Sequence, residues 1–344
     1  MENEFFSLTI DRKTGIIKRI RDKTRNQEVV KSGANILELY EDRPVSFSAW
    51  DIDFYHQKKL LQRGIKVHTM RFFKGRHYTR CVIFGTLLQS KIIQEIYLFN
   101  HYPFIYIDSK VDWQERSVVL KTAQEVDVLA NTATYGIQGA AICRPTHRNT
   151  LYDQARFEVP AQCWMDMSES GFGVALLSDS KYGFSALGSF MRMTALRSPS
   201  APDPEADRGT HHFSYCLYPH PGTWQEADVP TVADNFARGP IVLENRAGDL
   251  ESRISVKEGL PGQQNNFVIE TVKHAERGRA IILRGHETKG SRGKAIVKVG
   301  FYKMRKAFIC NLLEEEKQAL KIKNKNNLEI NYRPYEIITI KLIR

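Results

Sequence analysis

Phe104-Ile-Tyr-Ile-Asp-Ser-Lys-Val-Asp-Trp113 sets Ile105, Ile107, Val111 and Trp113 on one face and Tyr106, Asp108, Lys110 and Asp112 on the other. A period of two held over this length is the pattern of a strand with one buried and one wetted face. Runs of the same kind, rich in β-branched and aromatic residues, lie on either side of it at Ile36–Tyr40, Lys66–Phe72, Thr79–Leu87, Lys91–Leu98 and Val118–Leu129. Nearer the start, Phe6, Leu8 and Ile10 share a face, Asp11-Arg-Lys-Thr-Gly15 turns the chain, and Ile16-Ile-Lys-Arg-Ile20 resumes, which predicts a β-hairpin. The one helix candidate is Val229–Ala237, entered through Pro230 and closed by Gly239.

Parallel pairs need crossover helices, and strands follow one another here without them. The expected fold class is therefore all-β: a large antiparallel β-supersandwich of mutarotase-like type over residues 1–258, then a small terminal β-sandwich over 259–344. Gly259-Leu-Pro-Gly-Gln-Gln-Asn-Asn266 reads as the linker between them. Strands of the second part are expected at Phe267–Val272, Arg279–Arg284, Ala295–Val299, Ala307–Leu312, Leu328–Tyr332 and Ile337–Ile343.

Composition agrees with a folded core: 42% hydrophobic and 26% charged residues in 344, with a mean hydropathy of −0.40. No apolar run approaches the length of a transmembrane helix, and Met1-Glu-Asn-Glu-Phe-Phe lacks a basic region followed by an apolar one. No membrane association and a cytoplasmic location are the resulting expectations. The five cysteines, Cys81, Cys143, Cys163, Cys216 and Cys310, are widely spaced and form no Cys-x-x-Cys pair, so they read as structural residues of a reduced compartment.

The formal charge of +11 raises the question of a nucleic-acid partner. Residues 253–344 hold 20 basic and 9 acidic side chains, which leaves 30 of each before them. The whole excess thus belongs to the terminal sandwich. No recognition helix, stacking aromatic pair or zinc module accompanies it, so a solvated face is expected and nucleic acid is not.

The middle of the chain is denser in polar and aromatic residues than plain alternation requires. It contains Tyr135-Gly-Ile-Gln138, Arg144-Pro-Thr-His-Arg-Asn-Thr150, Ala155-Arg-Phe-Glu-Val159, Trp164-Met-Asp166, Lys181-Tyr-Gly183, Leu196-Arg-Ser-Pro199, Pro202-Asp-Pro-Glu-Ala-Asp207 and Tyr218-Pro-His220. With Ala49-Trp-Asp-Ile-Asp53 and Glu270-Thr-Val-Lys-His-Ala-Glu276, these resemble the C-terminal half of glycoside hydrolase family 38 α-mannosidases of the cytosolic and vacuolar type, over essentially the whole chain. The family usually has Tyr-Glu-Ile-Gln-Phe-Gly where Tyr135-Gly-Ile-Gln-Gly-Ala140 stands, an aromatic at the place of Gln154 and a basic residue at that of Cys163.

The resemblance implies a zinc-dependent retaining enzyme acting on terminal α-D-mannose. It also implies that the aspartate nucleophile and the His/Asp zinc ligands lie in an N-terminal seven-stranded β/α barrel and helical bundle outside this sequence. No catalytic residue, metal ligand or cofactor is therefore expected in the chain, with zinc expected in the full-length enzyme. The barrel is the expected partner, in cis or as a separate chain, with mannosides or oligosaccharides as ligands; a homo-oligomer is left open. A truncated or split reading frame would account for the missing half. The alternative is a non-catalytic carbohydrate-binding or purely structural sandwich.

Arg144, Thr146, His147 and Asn149, followed by Tyr152 and Asp153, are the candidate substrate-binding residues. Four hydrogen-bonding side chains behind Pro145 suit either sugar hydroxyls or the cementing of an interdomain loop. Asp179, Lys181 and Tyr182, and Asp203, Glu205 and Asp207, are candidate interdomain or loop residues. A retaining glycosidase needs two carboxyl groups about 5–5.5 Å apart. The prolines at 202 and 204 favour an extended loop with its carboxylates spread along it, which reads as cation- or backbone-binding. His211 and His212 point to opposite faces of a strand, and His212 and Cys216 would lie about 13 Å apart at ~3.3 Å per residue, so half-buried strand histidines are expected in place of a zinc site.

Overall fold

A computed structural model describes residues 1–239, 254–259 and 266–344. Most of the expected linker, residues 260–265, lies outside the described residues. The chain divides into two compact units, one of residues 1–136 and 142–240 and one of residues 137–141 and 241–344.

The first unit holds two nine-stranded antiparallel sheets. Sheet I runs through Phe6–Ile10, Ile17–Asp22, Val30–Glu41, Val118–Val126, Phe190–Arg197, Gly183–Leu187 and Val159–Pro160, with two short strands attached. Sheet II runs through Ala140–Pro145, Thr132–Ile137, Trp164–Glu169, Phe172–Ser178, Gly209–Pro221, Ile105–Trp113, Ser90–Phe99, Tyr78–Leu87 and Lys66–Lys74. The alternation read from the sequence decides the faces. Ile105, Ile107, Val111 and Trp113 point into a core shared with Leu37, Leu39, Leu120, Met191, Met193 and Phe184 of sheet I. Their neighbours point outward.

Polar side chains bridge this otherwise apolar core. Asn35 of sheet I, at φ 54°, donates from Nδ2 to Gln94 Oε1 (2.7 Å) and to the Gly15 carbonyl (3.2 Å), and its backbone N–H donates to Gln124 Oε1 (2.6 Å). The Tyr215 hydroxyl of sheet II donates to Asn35 Oδ1, and Gln94 Nε2 donates to Ser109 Oγ (3.1 Å). Asparagine tolerates the left-handed conformation better than other side chains. The pairing between Val30–Glu41 and Val118–Val126 shifts register at this point, which returns Leu37 and Leu39 to the core face.

The helix expected after Pro230 is present as Val229–Arg238, ending at Gly239 with φ 58°. Two short elements were not expected from the sequence: a 3-10 turn at Phe54–Lys58 and a five-residue helix at Leu151–Ala155, too short to show a helical period. In the second unit a four-stranded and a five-stranded sheet enclose a separate core around Phe267, Leu283, Val297, Ile330 and Ile340. Its strand Ile254–Glu258 pairs with Ala295–Val299. The sequence-based boundary at 258/259 therefore falls one strand late, because hydrogen bonding and not linker composition decides where that strand belongs.

Asn35→Ala removes a side chain on which three buried polar groups depend. Each unsatisfied group costs roughly 1–3 kcal/mol, so urea unfolding should show a loss of at least about 3 kcal/mol with unchanged slope. A loss below about 1 kcal/mol would mean that the bridge contributes little.

Candidate functional site

The outer face of sheet I carries a cluster of charged and hydroxyl side chains beneath other chain segments. Glu38, Tyr40 and Asp42 come from the strand ending at Glu41 and the residue after it, Lys121 from the next strand, and Arg192, Thr194 and Arg197 from the third. Two segments lie over them. Arg197 forms an ion pair with the buried Asp42 and donates to the Asp51 carbonyl, which fastens residues 43–59. Arg148 Nη1 donates to Gln57 Oε1 (2.8 Å), and Phe157 packs on Phe54 (ring centroids 6.5 Å) and His56 (5.9 Å), which ties residues 146–158 to the same cover.

Beneath this cover is a cavity of about 170 Å³, lined by Tyr40, His56, Gln57, Lys121, Arg148, Ser185, Leu187 and Arg192. The carboxylates around it are engaged. Glu158 accepts from Lys121 and Thr194, and Glu38 accepts from the Tyr40 hydroxyl (2.7 Å) and Arg192 Nε (2.9 Å). Burial, with the adjoining Glu38 charge, pushes the Tyr40 phenol well above its ordinary range. Burial and the nearby Arg192 charge lower Arg148 from the usual guanidinium value. His56 is buried, and its Nδ1 donates to the Asp53 carbonyl (2.7 Å), so Nε2 carries the lone pair of the neutral ring. Burial first, and the Lys121 ammonium second, hold its pKa below the ordinary 6.5.

The residues singled out from the sequence are placed differently. Arg144 borders a separate crevice of about 10 Å³, room for about one water. Thr146 is buried and donates to the Ala130 carbonyl (2.6 Å). Asp153 accepts from the Thr150 N–H (3.1 Å) while Thr150 Oγ1 accepts from the Asp153 N–H (3.1 Å), a reciprocal cap on the short helix. His147 approaches Asp153 at 3.9 Å, and Asn149 and Tyr152 are exposed. Asp179 accepts from the Ser214 N–H (2.9 Å), Lys181 lies over the Phe213 ring (5.2 Å), and Tyr182 is exposed. The cavity brings together none of these candidates.

The 202–207 segment is a turn, with backbone bonds from Ala206 to Asp203 (3.3 Å) and Arg208 to Glu205 (3.2 Å), and not the extended loop expected from its prolines. Asp203 Oδ1 closes it by accepting from the Glu205 N–H (2.9 Å), Glu205 pairs with Arg116 and Arg208, and the Asp207 carbonyl accepts from the His211 ring (2.7 Å). His212 is exposed beside Asp108 (2.9 Å), where a half-buried position was expected. His220, by contrast, is buried like His56, and its Nε2 lies 2.7 Å from Asp166 Oδ2 while Ser168 holds the other Asp166 oxygen. Gly173 makes room for it, since a Cβ there would fall 2.4 Å from the imidazole. Likewise Gly136, one of the departures from the family pattern, leaves space that the Trp164 indole fills: a Cβ would stand 2.4 Å from Nε1.

Cys81, Cys216 and Cys310 are buried, Cys163 is intermediate and Cys143 exposed; all five are free thiols. Among the described residues no group of three or more His, Cys, Asp or Glu side chains is placed to hold a metal ion. No described helix is long and apolar enough to cross a membrane.

Fold and site thus define an all-β region with a buried polar basin on one outer face. Residues 1–205 match the Glycosyl hydrolases family 38 C-terminal domain, and residues 266–340 match the Glycosyl hydrolases family 38 C-terminal beta sandwich domain. The chain belongs to glycoside hydrolase family 38 and corresponds to its C-terminal region. It is similar to Alpha-mannosidase 2C1 of Homo sapiens, 34% identical with 98% of this chain and 34% of that protein covered. To Alpha-mannosidase G of Dictyostelium discoideum it is 32% identical, with 100% of this chain and 32% of that protein covered. The chain spans about a third of the length of these relatives. An alpha-mannosidase from Enterococcus faecalis V583 shares the fold at TM-score 0.77 and 14% identity, over 99% of this chain and 42% of that one.

A histidine held neutral by burial makes stability depend on pH. Between its folded pKa and about 6.5 the unfolded chain binds the extra proton, so stability falls as pH drops through that window. The stability difference between wild type and His56→Gln should therefore shrink on going from about pH 7 to about pH 5 in urea titrations. A constant difference would mean that folding does not shift the His56 pKa. Lys121, Glu158 and Asp42 act on the same ring in both measurements.

Proposed function

We propose that the chain serves as the non-catalytic β-sandwich part of a retaining α-mannosidase acting on terminal α-D-mannose, packing on the catalytic barrel and lining its cleft. The observation that supports this reading best is the apolar shelf on the cover of sheet I. Phe47 is 71% exposed, Trp50 75%, Leu151 81% and Tyr152 79%, all on the two segments held together by Arg148, Gln57 and Phe157. Large side chains left in water on ordered segments mark an interaction surface. The family's α-mannosidases supply its occupant, since about two thirds of their length has no counterpart in this chain.

In that assembly the residues of this chain bind and shape. The shelf excludes water from the barrel side, its aromatic rings offer flat apolar faces to sugar rings, and the ion pairs below hold it at a fixed height. The two carboxylates of the retaining reaction and the zinc belong to the barrel. Free thiols on all five cysteines suit a reduced compartment, and the cytoplasm is the proposed location.

Alone, the chain should release no aryl alcohol from an aryl α-mannoside, with or without added zinc. Turnover that follows the chain through purification would contradict the reading.

A further inference from the structure

We propose that Trp50 is the anchor through which the chain docks on the catalytic part of the α-mannosidase, and that Arg197 is a positioning residue that presets the turn carrying it. The inference rests on the mannosidase reading and adds to it the residue that makes the contact.

The turn of residues 47–51 is unfavourable in two ways for a segment that meets only water. Phe47 sits at φ 51°, in the left-handed region that bulky side chains avoid. The Phe47 and Trp50 rings also stand in solvent, whereas Trp113, Trp164 and Trp224, the other three tryptophans, are buried. An asparagine or glycine at 47 and a polar residue at 50 would suit a free loop better.

The turn is nevertheless held at several points. The Phe47 carbonyl accepts from the Trp50 N–H (2.8 Å) and the Asp51 N–H (2.9 Å). Ser48 Oγ accepts from the Ala201 N–H (2.9 Å) and the Ser200 N–H (3.2 Å) and donates to the Ala201 carbonyl (3.1 Å). Asp53 Oδ2 closes the segment by accepting from the Val45 N–H (2.9 Å) and the Tyr55 hydroxyl (2.5 Å). Arg197 Nη2 donates to the Asp51 carbonyl, and its Nε donates to the buried Asp42. Arg197 therefore ties the turn to the sheet, because a buried carboxylate fixes its own guanidinium.

Backbone strain that surrounding bonds over-determine clusters at functional positions. A loop ordered in advance does not have to be ordered on association, and tryptophan is among the side chains that most often carry interface energy. The surface and the family point to the occupant. Val45 and Leu151 are exposed on the same covering segments, so the surroundings of the ring are aliphatic and suit the apolar surface of a protein. About two thirds of the length of the related α-mannosidases has no counterpart in this chain and supplies that surface.

The test compares the full chain with a chimera in which it replaces the matching third of the human relative. In hydroxyl-radical footprinting Trp50 should oxidise severalfold more slowly in the chimera than in the chain alone, while the exposed Tyr102 on sheet II reacts equally in both. Trp50→Ala should lower hydrolysis of an aryl α-mannoside by the chimera about tenfold or more, the effect of removing one interface anchor. In the chain alone the same substitution should leave thermal unfolding unchanged, since the ring is exposed. Arg197→Lys keeps a charge beside Asp42 but loses the planar fork that also reaches the Asp51 carbonyl, so turnover should fall. Combined with Trp50→Ala it should fall no further than with Trp50→Ala alone, because both act through one contact. If Arg197→Lys does not fold, Ser48→Ala, which removes only a hydroxyl, makes the same comparison. An active chimera in which Trp50 stays as reactive as in the chain alone, or in which Trp50→Ala changes nothing, would overturn the anchor. Losses that multiply in the double variant would overturn the positioning role. A folded chimera without turnover would overturn the mannosidase reading and the inference with it.

Discussion

Asn35 is the point on which the larger unit turns. Its side chain and backbone bond to Gln94, Gln124 and the Gly15 carbonyl and accept from Tyr215, so one residue couples two strands of sheet I to two of sheet II inside an apolar core. A strand that slipped by one residue would exchange its faces, sending Leu37 and Leu39 outward and Glu38 and Tyr40 inward. Hydrophobic burial supplies most of the driving force and opposes that slip, but it discriminates less against a slip of two residues, which keeps the same faces inward. The amide bridge is directional, and it is satisfied in one register only.

That register is what places Glu38, Lys121 and Arg192 together on the outer face. Buried ion pairs of this kind add little net stability, because desolvation offsets most of the attraction. Their consequence here is positional. Lys121 with Glu158 and Arg197 with Asp42 join the strands to the segments that cross above them, and those segments carry both the exposed aromatic shelf and the roof of the cavity. The sequence from inter-sheet bridge to register to charged face to covering loop is continuous, and each step uses side chains that the previous one orients.

Strands were legible in the sequence wherever one face is core and the other water, as in Phe104–Trp113, since period two then follows directly from burial. The helix after Asp228 was legible because Pro230 and Gly239 bracket it. The turn at Phe54–Lys58 and the helix at Leu151–Ala155 were not, since one turn of helix has no period; the first is anchored by the buried His56, the second by the local Thr150–Asp153 cap. The basin escaped for another reason: Lys121 and Glu158 are 37 residues apart and Arg192 and Glu38 are 154 apart, so no local motif contains either pair. A lysine within the apolar run Val118-Val-Leu-Lys-Thr-Ala123 was the available sign. Conversely, the dense polar run at 144–153 drew notice by composition, yet Thr146 and Asp153 satisfy their own backbone surroundings there. Those local bonds are what polar residues in short turns commonly make.

The central claim is that this β region does the work of the C-terminal third of an α-mannosidase. The most direct measurement is to graft the chain in place of the matching third of the human relative and to follow hydrolysis of an aryl α-mannoside by the chimera. The account predicts turnover well above that of the relative lacking its C-terminal third. A chimera that folds, as judged by cooperative melting, but hydrolyses no faster than that truncated protein would contradict it.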